Sequence, residues 1–246
     1  MRSFQVFFDI DQQTTAAIDL FISLAHNAVE KRGLFSVALS GGSTPKALYA
    51  GLTEPARQAM LPWDDIHFFF GDERHVPADH PDSNFRMVQE VFFSKIPILK
   101  DNIHRVKTEM DVRLAAFAYE DELRSFFEGH WPSFDLVLLG LGLDGHTASL
   151  FPNTAGLNEE YRWFIANHVR SQNGWRLTLT KNAINAARRI VVLVTGQSKA
   201  GILSEVLTGA QEPYQKPIQL ITPTDGELIW LLDREAASQL PPDLVI

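Results

Sequence analysis

Cysteine is absent from the 246-residue chain. That excludes disulfides, thiolate catalysis and zinc–thiolate sites together. No run approaches the roughly 20 apolar residues of a membrane span. The amino-terminal stretch MRSFQVFFDIDQQTT carries acidic and amide residues where a signal peptide needs an unbroken apolar region. No basic tract stands out, and the formal net charge is −8, which argues against a nucleic-acid partner. We therefore expect a cytoplasmic protein that binds neither nucleic acid nor membrane. The acidic balance still permits an anionic ligand, because a few local cations and backbone N–H groups suffice to bind one.

Internal repeats, low-complexity segments and Gly/Ser linkers are also missing, so residues 1–246 read as a single domain. What is present is apolar: 45% of residues are hydrophobic, enough for a substantial core. Residues 14–32 put Ile18, Phe21, Ile22, Ala25 and Val29 on one helical face, with Gly33 as a stop. FSVAL (35–39) is short, apolar and followed by Gly-Gly, the pattern of a buried strand. Thr44-Pro45 predicts an N-cap followed by proline at the first helical position. Further strands are predicted at 66–70, 134–139, 175–180, 190–194 and 229–232. Further helices are predicted at 84–93, at 111–128 and from about Ser198.

Apolar strands alternating with helices imply an α/β fold with a mostly parallel sheet covered on both faces. Ligands bind such sheets outside the carboxyl ends of the strands. Four segments fall there: SGGSTP (40–45), GDERHVP (71–77), GLGLDGHTASLFP (140–152) and TGQSKA (195–200). In the first, two glycines permit close backbone approach, while Ser40, Ser43 and Thr44 offer hydroxyls ahead of a helix start. This is a phosphate cradle, although a plain strand-to-helix turn would also need glycine. Ser40 nearly fits a nucleophile elbow, but Pro45 sets the helix start too far downstream. In the second, Arg74 can clamp a phosphate or hydroxyl-rich ligand. His75, Asp79, His80 and Asp82 match no standard metal-binding spacing, and the plainer reading is a solvated loop.

The third segment spells G-x-G-x-x-G through Gly140, Gly142 and Gly145. A dinucleotide turn needs a helix running on from the last glycine and an acidic residue about 20 positions later. Pro152 interrupts that helix, and Glu159 and Glu160 come too soon, so the match is coincidental. What remains is Asp144-Gly145-His146 at a strand end. His146 is either a general base or a structural residue capping a short helix from Thr147. In the fourth segment, Lys199 either adds charge to a bound phosphate or is an ordinary surface lysine.

Taken in order, SGGSTP, WDDIHFFFGDERHVPADHPDSN, FDLVLLGLGLDGHTASLFP and RLTLTKNAINAARRIVVLVTGQSKA resemble the 6-phosphogluconolactonase family from about Phe35 to Gly209. The resemblance implies a Rossmann-like three-layer α/β/α sandwich shared with glucosamine-6-phosphate deaminase. It implies hydrolysis of 6-phospho-D-glucono-1,5-lactone without metal or organic cofactor. His146 would be the general base, Asp144 its orienting partner, and Arg74 a cation near the ring. Ser40, Gly41, Gly42, Ser43 and Thr44, with Arg176 and Lys199, would hold the 6-phosphate. Asp72 would bind a sugar hydroxyl or pair with Arg74. Monomer and homodimer both stay open. The deaminases are the nearest alternative, but their glutamate a few positions after the DGH histidine has no counterpart in Thr147–Pro152. Their DE-Y-V-G pattern is also replaced by DERHVP. A noncatalytic sugar-phosphate-binding protein is the third reading.

Overall fold

The computed structural model describes residues 2–244. Nine strands form: β1 (Arg2–Phe7), β2 (Phe35–Leu39), β3 (Ile66–Phe70), β4 (Asp72–Arg74), β5 (Leu136–Gly140), β6 (Phe164–Val169), β7 (Gly174–Leu179), β8 (Arg189–Val194) and β9 (Glu227–Asp233). The α-helices are α1 (Ile10–Arg32), α2 (Ser43–Leu52), α3 (Pro55–Gln58), α4 (Asn84–Val91), α5 (Val112–Phe126), α6 (Lys181–Asn185) and α7 (Ala200–Thr208). The main sheet has six strands in the order β1-β9-β8-β5-β2-β3, and every pairing in it is parallel. All five residues of β2 are buried. Successive side chains of a strand point to opposite faces, so burial throughout means that both faces are covered. This is the expected α/β architecture, with helices flanking a parallel sheet.

Each helix is fixed by local chemistry. The Asp9 side chain accepts the Gln12 N–H at 2.8 Å and starts α1 four residues before the apolar stripe suggests. Gly33, at φ 79°, ends it with its N–H on the Val29 carbonyl. Helix α2 begins at Ser43, two residues earlier than expected: Gly42, at φ 107°, makes the turn in place of Thr44. Pro45 therefore lies inside the first turn, where a missing N–H costs nothing.

Three strands escaped the sequence reading. Strand β1 is an edge strand with no fully buried residue, so it lacks an apolar run. Strands β4 and β6 belong to a second, antiparallel sheet in the order β4-β7-β6. The segment 71–74 was expected to be loop, but it is pinned by pairing. Gly71 donates to Leu39 O of β2 and accepts from Leu179 N of β7, both at 2.8 Å. The chain leaves one sheet for the other at this residue. No helix starts at Thr147; residues 147–150 form a turn closed by a Thr147–Leu150 bridge.

One buried carboxylate joins the amino ends of β2 and β5. Asp135 accepts the Ser36 N–H at 2.9 Å and the Ser36 hydroxyl at 3.1 Å, and returns its own N–H to Ser36 O at 3.0 Å. Arg32, at the end of α1, reaches the same carboxylate at 2.5 Å. Removing it leaves buried donors unpaired. Asp135→Ala should lower the unfolding free energy by about 2 kcal/mol, measured by urea denaturation. An unchanged midpoint would mean that these bonds contribute nothing net.

Candidate active site

Strand β2 is followed in the chain by β3 on one side of it and by β5 on the other. The order reverses there, and a crevice opens outside the carboxyl ends of β2 and β5. A cleft of about 370 Å³ fills that crevice. It gathers Ser40, Gly41, Gly42, Ser43 and Thr44 after β2, Asp72 and Arg74 of β4, His146 after β5, and Lys199 after β8. Of the expected residues, Asp144 and Arg176 are not on its wall. Asp144 stands behind His146, and Arg176 stands beside Arg74.

The turn from Gly140 to His146 aims the imidazole. Gly142 N–H donates to His146 O at 2.8 Å, and Gly145 N–H donates to Gly142 O at 3.0 Å. Gly145 has φ 80°, a region that L side chains avoid. A Cβ on Gly142 would lie 2.0 Å from His146 Nδ1, so only glycine leaves room for the ring. Phe151 stacks on that ring with centroids 4.1 Å apart and planes 21° apart. His146 Nδ1 lies 2.5 Å from Asp144 Oδ1. Partial burial opposes the charge on Asp144, but the hydrogen bond and charge of His146 outweigh that and hold its carboxyl below the usual value. An ionised Asp144 takes the proton on Nδ1 as a donor and leaves Nε2 free to accept one.

The other wall is polar and partly cationic. Ser43 opens α2, so the SGGSTP loop meets free backbone N–H groups at a positive helix end. The Ser40 hydroxyl donates to Gly41 O at 3.3 Å, not to a histidine, which argues against a serine nucleophile. Arg74 and Arg176 are direct neighbours across the β4–β7 pairing. Like charges in that position repel, and burial and then the Arg74 charge lower the Arg176 pKa. Burial also lowers the pKa of Lys199, and the Asp144 charge partly offsets it. Three cations thus stand around a cleft in an acidic protein, an arrangement that an anion would relieve.

Asp72 does not pair with Arg74, whose Nη1 donates to Asp82 O at 2.6 Å. Its buried carboxylate instead accepts from Ser149 Oγ at 2.6 Å, while Asn84 Nδ2 donates to its carbonyl at 2.9 Å. Asn84 and Thr195 line the cleft and were missed in the sequence. Asn84 follows the helix-capping Ser83, and its side chain meets the backbone of Gly41: a Cβ there would fall 2.0 Å from Asn84 Oδ1. Thr195 and Thr44 share a hydroxyl hydrogen bond of 2.8 Å that ties two strand-end loops together. Thr195 stands right after β8, a position that could have flagged it.

Among the described residues, no group of three or more His, Asp or Glu is placed to hold a metal ion. His75 Nε2 lies 2.9 Å from Met110 O, and His80 Nδ1 accepts the Asp82 N–H. No helix among the described residues is long and apolar enough to cross a membrane. A wider groove of about 920 Å³ lies at the amino ends of β5 and β8. Its arginines are already matched: Arg32 and Arg188 reach Asp135 at 2.5 and 3.5 Å, and Arg189 reaches Glu227 at 3.0 Å.

A parallel α/β sheet with a cationic cradle and a carboxylate-oriented histidine at its switch point defines a class: proteins built to hold a small anionic ligand beside a proton acceptor. The chain belongs to the glucosamine-6-phosphate isomerase/6-phosphogluconolactonase family, which it matches over residues 9–230. It is 48% identical to a 6-phosphogluconolactonase of Synechocystis sp. over 219 residues, covering 87% of this chain and 88% of that one. The solved 6-phosphogluconolactonase of Trypanosoma brucei superposes with a TM-score of 0.86 at 30% identity, covering 98% of this chain and 99% of the other. A monomeric glucosamine-6-phosphate deaminase shares the fold, with a TM-score of 0.80 at 20% identity over 96% of this chain and 99% of the other.

Glu73 ties the cleft wall to α4. Its buried carboxylate accepts the N–H groups of Arg74, Asn84 and Phe85 at 2.7–2.8 Å and the Ser83 hydroxyl at 3.1 Å. Burial raises its pKa above the ordinary 4.5, although the N–H donors oppose that. A carboxyl with a raised pKa favours the fold when protonated. Its contribution is fully present below 4.5 and is lost as pH rises through the folded value. Wild-type stability should therefore fall relative to Glu73→Gln as pH rises from 4.5, measured by paired urea titrations. A difference independent of pH would contradict the assignment.

Proposed function

We propose that the protein hydrolyses 6-phospho-D-glucono-1,5-lactone to 6-phosphogluconate, with His146 as the general base. The observation that carries this reading is the 2.5 Å contact between His146 and Asp144 on the wall of a cleft that also holds Lys199 and the SGGSTP loop. The high identity to a 6-phosphogluconolactonase supports the substrate. We read residues 1–246 as one catalytic domain, because Gly71 bonds to both sheets.

A lactone is a reactive ester, so a positioned water and a base suffice. Imidazole suits the task because it exchanges protons near neutral pH. Nε2 takes a proton from water as the water oxygen bonds to the lactone C1. The carbonyl oxygen becomes an oxyanion, stabilised by the Arg74 guanidinium in a partly dry cleft. Collapse re-forms the C1 carbonyl and breaks the bond to the ring oxygen, which receives the proton back from His146. Asp144 keeps the imidazole in the tautomer this needs and stabilises the transient imidazolium. The SGGSTP backbone and hydroxyls, with Lys199, bind the 6-phosphate, while Arg176, off the wall beside Arg74, adds positive charge. That remote grip orients the ring for attack. Asp72, held by Ser149 and Asn84, is set to receive a sugar hydroxyl.

The deaminase reading has one specific observation against it. Where those enzymes carry a relay glutamate after the DGH histidine, this chain has Phe151, whose ring covers the imidazole. A phenyl ring orients His146 but relays no proton.

His146→Ala should lower kcat on the phospholactone by about 10²-fold with little change in KM. The readout is a coupled dehydrogenase assay with spontaneous hydrolysis subtracted. Near-wild-type turnover would remove His146 from the mechanism. Lys199→Ala should chiefly raise KM, because it takes away a charge made for the phosphate. An unchanged KM would take Lys199 out of the phosphate site.

A further inference from the structure

The turn that carries His146 rests on a segment remote in sequence. Residues 209–226 connect α7 to β9. Within them, Ile218 N–H donates to Gly145 O at 3.0 Å, and Tyr214 O accepts the Asn153 N–H at 3.0 Å. The side-chain amides of Asn153 and Gln215 exchange two bonds of 3.3 and 3.1 Å. Contact at Gly145 is tighter still: a Cβ there would lie 2.9 Å from Lys216 Cα. The backbone of Lys216 is thus the floor beneath the residue before His146.

The histidine loop needs such a floor. Ala148 and Asn153 hold φ angles of 46° and 56°, a left-handed region that non-glycine residues adopt only when their surroundings enforce it. Two side chains tie the floor to α7: Gln219 Nε2 donates to Val206 O at 3.2 Å while its Oε1 accepts the Glu212 N–H at 2.7 Å, and Lys216 adds ion pairs. Lys216 Nζ lies 3.0 Å from Glu212 within the segment and 3.4 Å from Glu205 on α7. It is mostly covered, with 14% of the side chain exposed. The hydrogen bond to Glu212 raises its pKa, so the charge persists across the neutral range. Helix α7 also follows directly on Lys199.

We propose that Lys216 is a positioning residue for lactone hydrolysis: by clamping residues 212–218 to α7, it holds the Gly145–His146 turn in register with the Lys199 end of the cleft. The inference rests on His146 being the base. Lys216 is not part of the cleft wall, so its effect falls on orientation. A misplacement near 1 Å is enough to slow a reaction by up to about 10²-fold.

The test compares Lys216→Met, Lys216→Arg and His146→Ala, each purified as the full chain and assayed on the phospholactone. Lys216→Met should lower kcat by about tenfold and leave KM within about threefold of wild type, and Lys216→Arg should restore most of kcat. A general loss of folded protein would lower the active fraction without this rescue. Wild-type kcat in Lys216→Met overturns the proposal, as does an arginine variant no better than the methionine one. If Lys216→Met does not fold, Glu205→Gln/Glu212→Gln removes both ion pairs and keeps the lysine stem; an unchanged kcat there also overturns it. When His146→Ala is inactive and Lys216→Met is wild type, only the brace fails. When His146→Ala stays active, the base assignment fails and the brace falls with it.

Discussion

Everything in the cleft depends on one topological constraint, the reversal of strand order between β2 and β5. Parallel strands deliver all their carboxyl ends to one edge of the sheet. Reversal between neighbours then prevents the outgoing loops from closing over that edge. The register staggers the ends: Val37 pairs with Leu136 and Leu139 with Val192, so Ser40 lies level with Leu139 and Val192, and Leu141 and Thr195 leave two and three residues further on. The second sheet adds the remaining wall. Gly71 turns the chain out of β3, and the pairing of β4 with β7 brings Arg74 and Arg176 together beside the same opening.

Within that opening, His146 is limited by contacts of different kinds. Asp144 fixes the proton on Nδ1, Phe151 covers the ring, and Gly142 leaves room for it. The segment around Lys216 supports the backbone from below. A base that must take a proton from water and return it to a ring oxygen needs one tautomer and one orientation throughout. The electrostatics follow the same division. The groups proposed to hold the phosphate gather at the β2 and β8 loops, and two further cations stand at the arginine pair. The acidic partner, Asp144, sits behind the imidazole, close enough for its charge to act on Lys199.

Much of this was legible in the residues because buried parallel strands are written as apolar runs. FSVAL, IHFFF and IVVLV announce β2, β3 and β8, and the loops after them carry Ser40, Arg74 and Lys199. The DGH turn was readable for the same reason, and Pro152 excluded the dinucleotide alternative. Strand β4 was not readable, because the three polar residues DER leave no apolar signature, and in β6 the apolar run of FIANHV is cut to three residues by Asn167 and His168. Asn84 and Ser149 lie on surfaces that only folding brings to Asp72. The missing glutamate in Thr147–Pro152 was legible, but the stacking of Phe151 on His146 is visible only in three dimensions. Lys216 lies 70 positions beyond His146, and nothing local marks it.

The central claim is that a family fold shared by two chemistries is committed here to the lactone. The most direct measurement gives the purified protein 6-phospho-D-glucono-1,5-lactone and glucosamine 6-phosphate in parallel, at neutral pH with a chelator present. The account predicts lactone consumption well above the spontaneous rate and no ammonia from the amino sugar. Ammonia release, or lactone decay at only the spontaneous rate, would contradict it.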